Sequence, residues 1–181
     1  MMRKQVDINC IIKPISIFSP TLLTGFSHDQ KWSEQWVKQE GAWVLEQTTQ
    51  CRKWSNDKKV WISSYLEEQT KHGGQTYGAY IYDRLVGFAA HGAPKMIDEI
   101  KWINLTMLFV DEDYKRRGIG TLLFDKIITS AKEKGVEKIF VSAIPSKETI
   151  AFYFSQGCVD AKTAIEEFVD TQQDRYIEYT V

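Results

Sequence analysis

The sequence predicts a single mixed α/β domain over residues 1–181, and three observations carry that prediction. The chain has 181 residues, 43% hydrophobic and 26% charged, an ordinary globular balance that buries roughly 70% of its unfolded surface in one core. Residues 102–157 read as strand, helix, strand, helix, with nearly continuous apolar strands of the kind covered on both faces. No internal repeat, linker or low-complexity tract interrupts the chain.

Each element has its own signal. Residues 6–18 alternate polar and apolar side chains, as an opening strand does. Residues 21–74 are polar and aromatic, contain no Pro, and read as mainly helical. The clearest helix there begins after Ser55, a suitable N-cap, carries Val60, Trp61, Tyr65 and Leu66 at helical spacing, and stops at Gly73-Gly74. Residues 75–91 predict two short strands joined at Asp83-Arg84. Trp102 to Val110 is a buried strand. The helix after it places Leu122, Leu123, Ile127, Ile128 and Ala131 on one stripe and ends at Gly135. Residues 138–144 form a second buried strand, residues 146–157 a short helix capped by Ser146, and residues 175–181 a closing strand.

Charge and cysteine content exclude several classes. With 23 Lys+Arg against 24 Asp+Glu the net charge is −1, so net charge steers the chain toward neither nucleic acid nor an anionic membrane. Cys10, Cys51 and Cys158 are too few and scattered for a disulfide framework. His28, His72 and His91 form no H-E-x-x-H, and there is no C-x-x-C, so no metal is expected. The apolar start is broken by Asp7, Asn9, Lys13 and Pro14, a poor signal peptide, and no apolar run approaches the ~20 residues of a membrane span. A cytoplasmic protein is expected.

The chemistry is concentrated in one loop. A buried strand ends at Val110, Lys115-Arg116-Arg117-Gly118-Ile119-Gly120 follows, and a helix starts at once. The first N–H groups of a helix lack intrahelical partners and sit at the positive end of its dipole. Glycines let the backbone approach an anion, and three cations attract it; together they make a phosphate cradle. The string is not G-x-x-x-x-G-K-[ST], and Leu123 stands where a dinucleotide fingerprint needs a third Gly.

Lys115 to Gly120 resembles the Q/R-x-x-G-x-G/A acetyl-CoA motif of the GNAT superfamily of N-acetyltransferases, with Lys at the first position. Ser146 to Cys158 is similar to the family's N-x-x-A-x-x-F-Y-x-x-x-G-F segment. There Phe152, Tyr153 and Gly157 are retained, while Ser146, Thr149 and Cys158 replace Asn, Ala and Phe. The resemblance covers residues 76–160. It implies a mixed, mostly antiparallel sheet splayed between two strands and flanked by helices, with acetyl-CoA as co-substrate. By the same resemblance Leu108, Phe109 and Val110 face the pantetheine, an added-strand mode. Lys115, Arg116, Arg117, Gly118, Ile119, Gly120 and Thr121 hold the pyrophosphate, and Ser146 joins this set. A backbone N–H near Leu108 stabilises the oxyanion, and Tyr153 protonates the departing thiolate.

The general base stays open. The family's usual Glu position is Asn104, which cannot act as a base; Glu99 is the candidate, with Asp98 beside it and His91 behind it, and the alternative is an amine that arrives neutral. The implied activity is transfer of the acetyl group of acetyl-CoA to a primary amine of a small molecule or peptide. A non-catalytic acyl-CoA-binding or sensing module is the alternative reading. A homodimer is among the expected partners. Residues 164–178 hold Glu166, Glu167, Asp170, Asp174 and Glu178 against Arg175, an excess suited to a cationic acceptor. Trp32, Trp36, Trp43, Trp54 and Trp61 serve either as its aromatic wall or, the blander reading, as packing.

Overall fold

The structure, a computed structural model, describes residues 9–181. The chain runs β1 (Ile11–Pro14), β2 (Asp29–Gln39), β3 (Ala42–Lys53), α1 (Asn56–Lys71), β4 (Gln75–Ile81), β5 (Arg84–His91), β6 (Lys95–Ile97), β7 (Ile100–Val110), α2 (Ile119–Glu133), β8 (Lys138–Ala143), α3 (Lys147–Ser155), β9 (Val159–Asp160) and β10 (Arg175–Thr180). An eight-stranded sheet has the order β1-β4-β5-β7-β8-β10-β9, with β6 paired to β7. Its neighbours are antiparallel except β7 and β8, which are parallel. This is the mixed, mostly antiparallel sheet the sequence implies.

Side-chain alternation assigns the helices to faces. Val86, Ala89, Ile103 and Leu105 pack with Leu123, Phe124, Ile127 and Ala131 of α2 and with Ile150 and Tyr153 of α3. On the other face Phe88 and Ala90 meet Ile62 and Leu66 of α1, together with Phe26 and Leu23. Each fully buried apolar side chain of this size contributes roughly 1.5–3 kcal/mol. The expected caps are in place: Ser55 accepts from the Lys58 N–H at 3.2 Å and Ser146 from the Thr149 N–H at 3.2 Å. Gly135 adopts φ +63° after α2, a conformation that favours glycine.

Three expectations are corrected. The opening strand is limited to Ile11–Pro14, and residues 6–8 lie outside the described residues. The β4–β5 hairpin turns at Tyr82-Asp83 (φ +47° and +63°), so Arg84 already belongs to β5. The larger correction concerns residues 21–74, of which only Asn56–Lys71 is helical. Residues 29–53 form a separate two-stranded hairpin that turns at Glu40-Gly41, φ +48° and +87°, the left-handed pair that suits the twist of a two-residue hairpin.

A two-stranded hairpin is marginal by itself, and this one is held from outside. The Trp36 N–H donates to the Pro145 carbonyl at 2.7 Å, and Gln35 bridges Ser146. Gln30 and Glu34 reach Thr149 and Lys147 at the start of α3. Trp36 and Trp43 stack on Arg175 of β10. The four-residue spacing of Trp32 and Trp36 therefore reflects a bulged strand rather than a helix face.

Candidate active site

The sheet opens between its two parallel strands. They pair at Trp102/Lys138, Ile103/Ile139 and Asn104/Phe140. Beyond Asn104, β7 stays with β5 and β8 stays with β10. The cause is a bulge: β5 pairs Ala90 with Met107 but His91 with Leu105, leaving Thr106 as an extra residue. Ile103 and Leu105 point to the α2 face, and after Thr106 that face is met by Leu108 and Val110. The alternation has slipped by one residue, which bends the strand and ends its pairing. Two backbone edges thus face each other across a V, a template for an extended molecule.

The loop that follows β7 is anchored from beneath. Asp111 is fully buried, and its carboxylate accepts from the Ser27 N–H at 2.9 Å, the Asp113 N–H at 3.0 Å and Arg84 Nη2 at 3.3 Å. Arg116 and Gly118 then take left-handed φ values of +63° and +82°. Gly118 is the N-cap of α2 with no side-chain cap, so the first-turn N–H groups of Ile119, Gly120 and Thr121 face the loop. Lys115, Arg116 and Arg117 are exposed around them. Lys115 pairs with Glu112, and Arg117 donates to the Asp113 carbonyl and covers the Tyr114 ring. A Cβ at residue 120 would lie 3.2 Å from the Phe152 ring and 3.9 Å from Leu108. An uncapped helix start, a side-chain-free approach and three cations fit a pyrophosphate.

Tyr153 lies on α3 behind this loop. It is 7% exposed, edge-on to Phe124 at 5.9 Å and beside Phe152 at 5.0 Å. Burial pushes its phenol well above the ordinary tyrosine range, with Cys158 adding to the shift, so it keeps its proton at any neutral pH. Ser146 is fully buried; its hydroxyl caps α3 and donates to Thr149 Oγ1 at 2.8 Å. That side chain orders the helix that carries Tyr153 rather than facing the splay.

The sequence's acid candidates fare differently. Glu99 sits exposed in the two-residue turn between β6 and β7, φ +64°, with Asp98 at +48°. The splay begins five residues later, roughly 16 Å along the strand, and opens away from that turn. Glu99 is therefore not brought to the site. His91 is buried with both ring nitrogens engaged, Nδ1 to the Gly92 carbonyl at 2.8 Å and Nε2 beside Ser130 Oγ at 3.0 Å. Burial lowers its pKa, and its role is structural. Asn104 stands at the apex of the V, where Nδ2 donates to the Phe168 carbonyl at 3.5 Å and Oδ1 is buried without a partner among the described residues.

The acid run of residues 164–178 is not one surface. Glu167 pairs with Lys95 and Glu178 with Lys138. Asp170 and Asp174, by contrast, meet β8 in its open stretch. The Asp170 N–H donates to Ser142 Oγ at 3.1 Å, and that hydroxyl donates to Asp174 Oδ2 at 2.8 Å. Burial, then the Asp174 charge, raises the Asp170 carboxyl above the ordinary range. On the α1 side Tyr65 is stacked with Trp61, and burial first, then the Asp170 charge, raises its phenol above the ordinary range. The sequence contained the acids but had no signal that paired residue 170 with residue 142.

The tryptophans are mostly packing. Trp32 is buried, Trp36 and Trp43 hold Arg175, and Trp54 stacks on His28 and against Phe109. Trp61 is half-exposed and stacked on Tyr65 at 5.3 Å. No helix among the described residues is long and apolar enough to cross a membrane.

Comparison with known proteins follows this geometry. The sequence profile described as Acetyltransferase (GNAT) family matches residues 42–157. An uncharacterized N-acetyltransferase, ycf52-like, of Prochlorococcus marinus is 28% identical over 113 residues, 62% of this chain and 59% of that protein's length. Among solved structures, nourseothricin acetyltransferase superposes with a TM-score of 0.67 at 12% identity, covering 94% of this chain and 98% of the other. The PaiA N-acetyltransferase of Thermoplasma acidophilum, solved in complex with coenzyme A, gives 0.53 at 18% identity over 70% of this chain and 72% of the other. At these identities both likenesses are of fold.

Proposed function

The chain belongs to the GNAT family of acetyltransferases, and from that premise we propose that it moves the acetyl group of acetyl-CoA directly to a primary amine of a small molecule or peptide. The observation that carries this reading is the splay beyond Asn104, which ends at the uncapped start of α2. Acetyl-CoA, when bound, supplies an activated thioester. The backbone of Leu108, Phe109 and Val110 aligns the pantetheine arm as an added strand. The N–H groups of residues 118–121, with Lys115, Arg116 and Arg117, hold the pyrophosphate. The Leu108 N–H polarises the acetyl carbonyl and stabilises its oxyanion, and Tyr153 keeps a proton at its phenol for the thiolate. Ser146 contributes by capping the helix that positions Tyr153.

Thiol release from acetyl-CoA, measured with polyamines, aminoglycosides, amino acids and Lys peptides, tests the proposal. Amine-dependent release with an acetylated nitrogen in the product supports it. Tight coenzyme A binding without turnover on any amine supports the competing reading, a non-catalytic acyl-CoA-binding module, which Asn104 at the usual acid position favours.

A further inference from the structure

We propose that Asp170 is the residue that takes the acceptor's proton, and that Tyr65 of α1 steadies the incoming amine. The inference rests on the amine-acetylation reading above. With Asn104 at the apex and Glu99 at the far end of β7, the acid must come from another element. The loop before β10 brings one. Asp170 is tied through its own N–H to Ser142, on the stretch of β8 that has left β7. On the opposite wall stands Thr106, the bulge residue, whose hydroxyl donates to the Ala90 carbonyl at 3.1 Å, and Tyr65 of α1 is near enough for the Asp170 charge to bear on its phenol. The Asp170 loop thus stands at the mouth of the opening, whose β7 wall at Thr106 lies two residues (roughly 7 Å) along the strand from the Leu108 amide.

Within the acid pair the geometry distinguishes the partners. Asp174 is buried and accepts from Ser142, while Asp170 keeps an open side that an incoming molecule can meet, although it is shielded enough for burial to raise its carboxyl. The other titratable groups that bear on Asp170 are Asp174 on its own loop and Tyr65 from α1; β8 and β7 bring the hydroxyls Ser142 and Thr106. Desolvation and the Asp174 charge make Asp170 a stronger proton acceptor than an ordinary carboxylate. The orphan Oδ1 of Asn104 is a further acceptor at the apex.

An acceptor ammonium gives one proton to the Asp170 carboxylate. The freed nitrogen lone pair forms the bond to the acetyl carbon, and the carbon–sulfur bond breaks with its electron pair leaving on sulfur. The second nitrogen proton ends on that sulfur as the thiol, and Asp170 returns its proton to solvent.

The test uses Asp170→Asn, Asp170→Glu and Tyr65→Phe in the full chain, with spermidine, tryptamine and a Lys peptide as acceptors, and titration of coenzyme A as an independent readout. Asp170→Asn is expected to lower kcat about 100-fold at neutral pH, with the deficit shrinking as pH rises toward the amine's own pKa. Coenzyme A affinity and the thermal midpoint stay at wild-type values, and Asp170→Glu recovers part of the rate. Tyr65→Phe raises the amine KM several-fold and leaves the acetyl-CoA KM unchanged. Wild-type kcat in Asp170→Asn, or a loss equal at every pH, overturns the role of Asp170 while the acetylation reading stands. Absence of turnover by the wild-type chain on every amine overturns that reading and this inference together.

Discussion

Phe152 lies over Gly120 so closely that a Cβ there would sit 3.2 and 3.3 Å from two atoms of its ring. The contact joins the start of α2 to α3, so the phosphate loop and the helix carrying Tyr153 are set by one packing point. A β-branched side chain at residue 120 must displace either the ring or the loop. Gly120→Val is expected to weaken coenzyme A binding at least 10-fold, about 1.4 kcal/mol. Equilibrium titration of coenzyme A reads this directly, and an unchanged affinity would show that the close approach is not part of the cradle.

Tyr153 is buried among Phe124, Phe152 and Cys158. Tyr153→Phe preserves that packing and removes only the hydroxyl. The expected result is a fall in kcat of at least 10-fold with little change in acetyl-CoA affinity. Because burial holds the phenol's pKa far above neutrality, the wild-type rate should show no titration of Tyr153 between pH 6 and 9. Equal losses in kcat and affinity would reject the acid role.

His28 supplies a pH dependence of stability. It is 5% exposed, stacked on Trp54 at 4.2 Å, and its Nδ1 has no partner among the described residues. Burial first, then the Lys115 charge, lowers its pKa from 6.5 to about 4. Between those values the unfolded chain binds the extra proton, so this contribution is fully present above pH 6.5 and is lost as pH falls toward 4. The loss is on the order of 3 kcal/mol. In urea titrations His28→Phe should remove that slope and match or exceed wild-type stability at pH 7, because an apolar ring there leaves no buried orphan atom. A slope retained in the variant would assign the effect elsewhere.

Arg175 is gripped by Asp160, Nε to Oδ1 at 2.7 Å and Nη2 to Oδ2 at 2.8 Å, inside a ring of Trp36, Trp43 and Phe154. The guanidinium plane serves both the fork and the stacking, and a lysine reproduces neither. Arg175→Lys is expected to cost about 2–3 kcal/mol, given that Asp160 is half-exposed. The β2–β3 hairpin, which this cage holds, should lose amide-exchange protection before the central sheet does. Uniform loss of protection would mean that the cage supports the whole domain.

Local chemistry was legible in the chain. The caps Ser55 and Ser146, the stops at Gly73 and Gly135, and the helix start that follows the Lys115–Arg117 cations all depend on residues within one or two turns of each other. Residues 29–53 misled for the opposite reason. Trp32 and Trp36 stand four apart in a Pro-free polar stretch, yet that strand is held by Pro145, Ser146 and Arg175, more than a hundred residues away. The Glu40-Gly41 pair was its one local mark. Glu99 misled similarly, since an acid just before a strand carries no information about which end of the strand opens.

The sequence by itself determined the parts of the proposed phosphate cradle, because a helix start, two glycines and three cations are contiguous and act through the backbone next to them. Only the tertiary structure decided where β7 and β8 part, which acidic loop is tied to the open stretch of β8 and which aromatics merely pack. Those outcomes rest on a single bulged residue, Thr106, and on the contacts of Ser142 with Asp170 and Asp174. Pairings between such distant residues are fixed by sheet register and helix docking, which no short stretch of sequence encodes.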